Sequence, residues 1–159
     1  MYEFHKDKET YFTYQKENAA RWVLPFIEKF TPILPSWKIL EIGCAEGGVL
    51  KAFLDKGCTG VGVELSASRV ALALDFLKDE VASQRVKIIA KDIYDPSFTN
   101  EFRHLFDLII LKDVIEHIHD QEKLMEQLKL LGYEIARRTV VKYREELHLP
   151  NARMRKTII

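Results

Sequence analysis

Two glycines and two acidic side chains in the first half of the chain have the spacing of a nucleotide-binding turn. Gly43 and Gly47 fall within residues 41–48, which lead from an apolar run into a helical pattern. Glycine lets the backbone turn tightly and approach a ligand closely, because it has no Cβ atom. Glu64 lies 23 residues after Glu41, a spacing that lets a carboxylate accept hydrogen bonds from both hydroxyls of a ribose. The pattern predicts a pocket for a nucleotide-like cofactor.

Alternating strands and helices are expected to position these residues. Four short runs rich in aliphatic residues predict strands: 37–42, 58–63, 86–90 and 106–111. Three helices are predicted around them: 11–30, which should cover another element and kink or break at Pro25, 47–54 and 67–81. Such alternation gives right-handed parallel βαβ units, whose ligands lie at the carboxyl ends of the strands. Asp92 and Asp113 follow the third and fourth strands, so they are expected at the same edge as Glu64.

Three segments carry a resemblance to a known family: residues 41–48, 61–66 and 106–111. With the stretch around them, from Tyr11 to His117, they resemble the class I methyltransferases, which take the methyl group from S-adenosylmethionine. Dehydrogenases that bind dinucleotides share the glycine-rich turn, but they place phosphates beside it. Glu41 has no role beside a pyrophosphate, whereas it suits the cationic methionine end of S-adenosylmethionine. The resemblance implies an α/β fold with a truncated, Rossmann-like parallel sheet of about four strands.

The resemblance also assigns contacts with the cofactor. The residues implied are Glu41, Gly43, Cys44, Ala45, Gly47, Glu64, Asp92, Ile93 and Lys112. The turn residues would line the methionine and the sugar, Glu64 would bind the ribose, and Asp92 with Ile93 would meet the adenine. Lys112 would border the methyl donor. The family usually has glycine at the position of Ala45, so this side chain should crowd the loop.

Candidate groups for proton transfer follow the fourth predicted strand. Asp113, Glu116 and His117 bring two carboxylates and an imidazole together. His117 is a candidate general base, because an imidazole titrates near neutral pH, and Asp113 is the second candidate. The cluster could also ligate a metal, but metal-binding relatives add a histidine from a later strand, which this sequence does not show. No metal is therefore proposed. Cys44 and Cys58 are expected to be reduced thiols, and Cys44 a small buried residue.

A net charge of zero hides a basic segment at the end of the chain. Residues 129–159 contain eight Lys or Arg and three acids, a net charge of +5. Two helices are predicted in and just before this segment, at 121–131 and 135–147, and a short turn with Gly132 joins them. This is the outline of a helix-turn-helix. Residues 136–145 resemble the promoter-reading box of the enhancer-dependent sigma factor (sigma-54) family.

The sigma factor resemblance implies contacts with duplex DNA through residues 136–156. The side chains that it assigns to DNA are Arg137, Arg138, Lys142, Tyr143 and Arg144. Arginines suit guanine edges, and a lysine suits phosphate. One departure is Val141, where that family usually has alanine. A larger departure is that nothing upstream resembles the rest of a sigma factor.

The two resemblances divide the chain into residues 1–118 and 119–159 and suggest a chimera. The fourth strand, 106–111, is apolar on both faces and would normally have another strand beside it. An exposed apolar edge seeks a partner, so this strand is expected to mediate a homo-oligomer or aggregation. Alternatively, residues 138–143 replace the missing strand, which would abolish the DNA-binding function.

The sequence leaves three interpretations open. The chain could be an S-adenosylmethionine-dependent methyltransferase with an unknown acceptor, a DNA-binding module with the α/β part as scaffold, or an inactive truncation. No run of residues approaches the ~18 apolar positions that a membrane span needs, and the first ten residues are charged. A cytoplasmic protein without a membrane partner is expected.

Overall fold

The computed structural model describes residues 7–114, 118 and 120–133. The strands are β1 Lys38–Ile42, β2 Thr59–Glu64, β3 Val86–Ala90 and β4 Leu108–Ile110. The helices are α1 Lys8–Asn18, α2 Leu24–Glu28, α3 Gly48–Asp55, α4 Ala67–Phe76, α5 Lys78–Ala82, α6 Pro96–Phe102 and α7 Gln121–Leu130. The predicted α/β fold with four strands is confirmed. The second helix of the predicted helix-turn-helix lies outside the described residues.

The four strands form one parallel sheet in the order β3-β2-β1-β4. Leu40 of β1 pairs with Val61 of β2 on one side and with Ile109 of β4 on the other. Since all strands run in the same direction, their carboxyl ends meet at one edge, where a ligand is expected. In the described part of the chain β4 is an edge strand, and the Tyr133 hydroxyl accepts a hydrogen bond from the backbone N–H of Phe106, just before it (2.8 Å).

Two hydrophobic cores lie on opposite faces of the sheet. One packs Ile39 of β1 against Leu50 and Phe53 of α3. The other packs Leu40 of β1 against side chains from α6 and α7, such as Phe98. Neighbouring residues of β1 thus pack into different cores, because successive side chains of a strand point to opposite faces of the sheet. Across the described residues no helix combines the length and apolar character needed to span a membrane.

Two helices differ from the prediction. The helix expected over 67–81 is interrupted at Leu77, whose backbone leaves helical geometry (φ −107°, ψ 20°) while its side chain is fully buried. The sequence did not lead us to predict α6. Its start has a recognisable cap, because Asp95 accepts a hydrogen bond from the N–H of Ser97 (2.8 Å) and Pro96 occupies the first turn.

The N-terminal helix is divided near Pro25, as expected. A π-helical turn, Ala19–Val23, separates α1 from α2. Proline lacks the N–H of a regular helix, and its ring clashes with the preceding turn, which accounts for the irregular backbone just before it. The consequence is that α1 is a separate helical segment joined to the rest through a wider turn.

Candidate functional site

A cavity of about 300 Å³ opens at the carboxyl ends of the strands. It is lined by eight of the residues singled out from the sequence: Glu41, Gly43, Ala45, Glu64, Asp92, Ile93, Lys112 and Asp113. These residues come from the ends of all four strands or from the loops that follow them. The parallel sheet therefore brings together side chains that are up to 72 positions apart in the sequence.

The turn after β1 has a left-handed backbone at three positions. Gly43, Ala45 and Gly47 have φ angles of 70°, 50° and 84°. Glycine adopts this region readily, whereas a Cβ atom is strained there. A side chain at Gly43 would also collide with Val114, another residue that lines the cavity. The turn thus needs glycine for its conformation and for its close packing, and Ala45 is the strained exception.

Substitution at two of these positions should change stability in opposite directions. Ala45→Gly should stabilise the fold by about 0.5 kcal/mol, because relief of the left-handed strain exceeds the added entropy of the unfolded chain. Gly43→Ala should destabilise it by about 2 kcal/mol or more, since strain and collision with Val114 combine. Urea unfolding measures both. Equal stability of the two variants would contradict this explanation of the turn.

Glu64 ends β2 and links it to the turn. Its carboxylate accepts hydrogen bonds from the backbone N–H of Ala45 (3.1 Å) and from that of Ser66 (2.9 Å). The residue is 9% exposed and lines the cavity. Each carboxylate oxygen can accept more than one hydrogen bond. Glu64 is therefore held in a fixed orientation with acceptor capacity left for a ligand.

Glu41 is the most strongly perturbed acid of the cavity. It is 2% exposed, and one carboxylate oxygen accepts a hydrogen bond from the N–H of Leu50 in α3 (2.9 Å). Burial raises its pKa from 4.5 to about 8, against the lowering effects of the Leu50 hydrogen bond and of Lys112. The negative charges of Asp113 and Glu64 raise the pKa further. At neutral pH Glu41 is thus mostly protonated, and a cationic ligand group beside it would favour ionisation.

Two residues expected to contact the cofactor do not line the cavity. Cys44 is buried with its sulfur directed at Gly62 of β2, and Gly47 faces Leu77. Burial, with the charges of Glu41 and Glu64, raises the pKa of the Cys44 thiol well above its usual range. A thiol in that state is not a nucleophile. Cys44 and Gly47 therefore contribute to the packing of the turn and not to the cavity wall.

Several cavity residues were missed by the sequence analysis. They include Tyr11 and Gln15 of α1, Leu65 after β2, Arg69 of α4 and Tyr94 after β3. Leu65 is 74% exposed at the cavity, which is unusual for a large apolar side chain. Its position directly after Glu64 was the available signal. For Tyr11 and Gln15 the sequence indicated only that the N-terminal helix should cover another element, not that it would line a cavity.

The proton-transfer candidates are only partly described. Asp113 lines the cavity with an exposed side chain, has a left-handed backbone (φ 57°) and pairs with the ammonium of Lys112. His117 and Glu116 lie outside the described residues, as do Arg137, Arg138, Lys142, Tyr143 and Arg144. Within the described ranges, no group of three or more His, Cys, Asp or Glu could hold a metal ion.

Comparison with known proteins identifies the domain that contains this cavity. The sequence profile of the Methyltransferase domain family matches residues 11–131. The chain belongs to this methyltransferase family. The match spans all four strands and every described cavity residue. The box that resembles sigma factors, 136–145, lies beyond the match and remains a prediction.

Similar proteins include methyltransferases of different kinds. Phosphoethanolamine N-methyltransferase 2 of Caenorhabditis elegans is 33% identical over 106 residues, 66% of this chain and 23% of the relative. Ubiquinone biosynthesis O-methyltransferase of Bradyrhizobium sp. (strain ORS 278) is 28% identical over 120 residues, 76% of this chain and 45% of the relative. The matched part of the chain therefore spans less than half of the length of either relative.

Solved structures show the same fold and a related ligand. Phosphoethanolamine N-methyltransferase 2 of Haemonchus contortus, in complex with phosphomonomethylethanolamine and S-adenosylhomocysteine, is 29% identical with a TM-score of 0.55. The alignment covers 67% of this chain and 25% of that one. PKMT2 of Rickettsia typhi, in complex with AdoHcy, is 26% identical with a TM-score of 0.53, over 76% and 23% of the chains.

Proposed function

We propose that the cavity binds S-adenosylmethionine and that the protein transfers its methyl group to a nitrogen or oxygen atom of a small-molecule acceptor. The observation that carries the proposal is the row of acids at successive strand ends, Glu41, Glu64 and Asp92, around one cavity. A zwitterionic amino acid, a ribose and an adenine need distinct polar contacts along such a row.

Each part of the cofactor has suitable partners in the cavity. Glu64 has free acceptor capacity for ribose hydroxyls, because its carboxylate is fixed by two backbone N–H groups. Leu65 and Ile93 offer apolar surface for the adenine, and Asp92 lies beside Ile93. Glu41 and Gly43, with Ala45, suit the cationic methionine end, since Glu41 becomes an anion at little energetic penalty when a cation is near.

Methyl transfer requires a nucleophile held beside the methyl donor and away from water. S-adenosylmethionine supplies an activated methyl group when bound, so the protein contributes mainly orientation and desolvation. Asp113 lies at the cavity and is the described candidate for accepting a proton from the acceptor. His117 remains a candidate general base on the basis of the sequence.

The acceptor class can be tested with two probes, one named by a relative and one a simple aromatic alcohol. Purified protein is incubated with methyl-labelled S-adenosylmethionine and either phosphoethanolamine, an N-acceptor, or catechol, an O-acceptor. We expect label in the product of one acceptor, and Asp113→Asn should lower the rate about 100-fold, within the range of general base catalysis. If a chain that binds the cofactor methylates neither probe, both of these compounds are excluded as acceptors.

The basic end of the chain suggests a second property, the binding of duplex DNA through residues 136–156. The supporting observation is the net charge of +5 over residues 129–159 and the resemblance of 136–145 to a promoter-reading box. Several phosphate contacts would make the affinity fall steeply with salt. If the chain shows no measurable binding to duplex DNA at low salt, DNA binding is excluded. The five residues assigned to DNA would then have no role in its recognition.

A further inference from the structure

Helix α1 covers the cavity and is held by apolar packing of Phe12 against the hydrophobic core and by ion pairs from its lysines. Its residues Tyr11 and Gln15, one helical turn apart, line the cavity, and none of its residues is fully buried. It crosses the start of α3 so closely that a Cβ atom at Gly48 would lie 2.5 Å from the carbonyl oxygen of Phe12. The position of α1 therefore determines how the cavity is closed above the turn after β1.

The fastening includes a buried carboxylate. Glu46, in the turn after β1, is 0% exposed, and its Oε1 accepts a hydrogen bond from the Nζ of Lys8 at 2.8 Å. Burying a charge is unfavourable unless it is paired. Lys8 is thus the cation that makes the burial of Glu46 tolerable, and it is the first residue of α1.

Lys8 also connects Glu46 to the cavity. Its ammonium lies 5.8 Å from the centre of the Tyr11 ring, within the range of a cation–π interaction. One cation therefore contacts both the buried anion of the turn and an aromatic residue of the cavity wall. Among the described residues, the other oxygen of Glu46, Oε2, and the Oε1 of Gln15 are buried without a hydrogen-bond partner.

We propose that Glu46 and Lys8 form a latch that seats α1 over the bound cofactor. Glu46 is a positioning residue that acts through Lys8, which places Tyr11 and Gln15 at the cavity. The π-helical turn Ala19–Val23 permits α1 to leave this seat, because it interrupts regular helix between α1 and α2. The latch rests on the proposed cofactor function, and it adds Glu46 and Lys8 as determinants of how tightly the cofactor is held.

The latch is tested by titration of S-adenosylhomocysteine into single variants of the full chain. Lys8→Met and Glu46→Gln should each weaken binding about 10-fold, the equivalent of one hydrogen bond to a charged group. The double variant should be no weaker than either single one, since both remove the same contact. Lys8→Arg should restore binding to within about 3-fold of the wild type, because arginine keeps the charge and the aromatic contact.

Lys16→Met is the matched control. Lys16 lies on the same helix and pairs with Asp55 at 3.4 Å, and neither residue lines the cavity. Its replacement should leave the affinity unchanged. Wild-type affinity of Lys8→Met would overturn the latch, while loss of binding in Glu64→Ala would still support the proposed function.

Amide exchange in residues 8–18 tests the latch even if the cofactor does not bind. In the unliganded chain these amides should exchange faster in Lys8→Met than in Lys16→Met, because only the first substitution releases α1 from Glu46. Equal exchange rates in the two variants would overturn the latch independently of the cofactor. Absence of binding by the wild type would instead refute the proposed function.

Discussion

Replacement of Glu64 by alanine is expected to weaken the binding of S-adenosylhomocysteine by about 100-fold. Two hydrogen bonds from ribose hydroxyls to a charged acceptor, each worth about 1.5 kcal/mol, correspond to a loss of this size. The substitution also removes the bonds that hold the N–H groups of Ala45 and Ser66. Calorimetric titration of the two proteins gives the ratio of their dissociation constants.

The control for Glu64→Ala is an acid outside the cavity. Asp75 lies on the exposed side of α4 and does not line the cavity, so Asp75→Ala should bind with wild-type affinity. Circular dichroism should show the same helix content in all three proteins. Retention of wild-type affinity by a folded Glu64→Ala protein would show that the ribose is bound elsewhere.

Binding of the cofactor is expected to strengthen as the pH rises towards 8. Glu41 has a pKa of about 8 in the unliganded protein, and a cationic ligand must drive off its proton below that pH. The affinity should therefore rise by up to about 10-fold per pH unit between pH 6 and pH 8 and then level off. Titrations in two buffers of different ionisation enthalpy would show release of about one proton per ligand at neutral pH.

Glu41→Gln separates this effect from other titrating groups. Glutamine keeps an acceptor for the N–H of Leu50 but cannot ionise, so the pH dependence and the proton release should disappear and the binding should weaken. In the wild type the folded protein holds the Glu41 proton more tightly than the unfolded chain does. Its contribution to stability is thus present below the unfolded pKa of 4.5 and is lost as the pH rises through about 8.

Urea unfolding of Glu41→Gln and of the wild type checks the direction in which the stability contribution of Glu41 changes with pH. The stability of the wild type relative to the variant should fall between about pH 5 and about pH 9. A pH-independent difference between them would show that Glu41 does not titrate in this range. In that case Glu41 would be ionised over the whole range and its pKa would not be raised. A cationic ligand would then not change its ionisation, and the expected pH dependence of binding would have no physical basis.

The sheet could be predicted from the sequence because each strand is an aliphatic run bounded by turn residues. The prediction for β3 matches the structure residue for residue, at Val86–Ala90. The break at Leu77 could not be predicted, since the apolar pattern continues across it and only the backbone angles of this residue show that the helix is interrupted. The cap at Asp95 and Pro96 was visible in the sequence, and the start of α6 could have been inferred from it.

The acids of the candidate site could also be predicted, because parallel strands place their carboxyl ends at one edge. Glu41, Glu64 and Asp92 all line the cavity. The contribution of α1 could not be predicted in this way. It depends on the packing of Gln15 against Gly48, which no local pattern specifies. Glu46 was overlooked for a similar reason, since a charged residue in a loop is normally exposed and this one is buried beneath Lys8.

The most direct test of the central claim is a calorimetric titration of S-adenosylhomocysteine into the purified wild-type chain at about pH 8, where about half of Glu41 is ionised without a ligand. The proposed function predicts one site per chain and a dissociation constant of about 1 to 100 μM, equivalent to about −8 to −5.5 kcal/mol. A folded chain that gives no binding heat at millimolar ligand, with no shift in its thermal unfolding, would contradict the assignment of this cavity to S-adenosylmethionine.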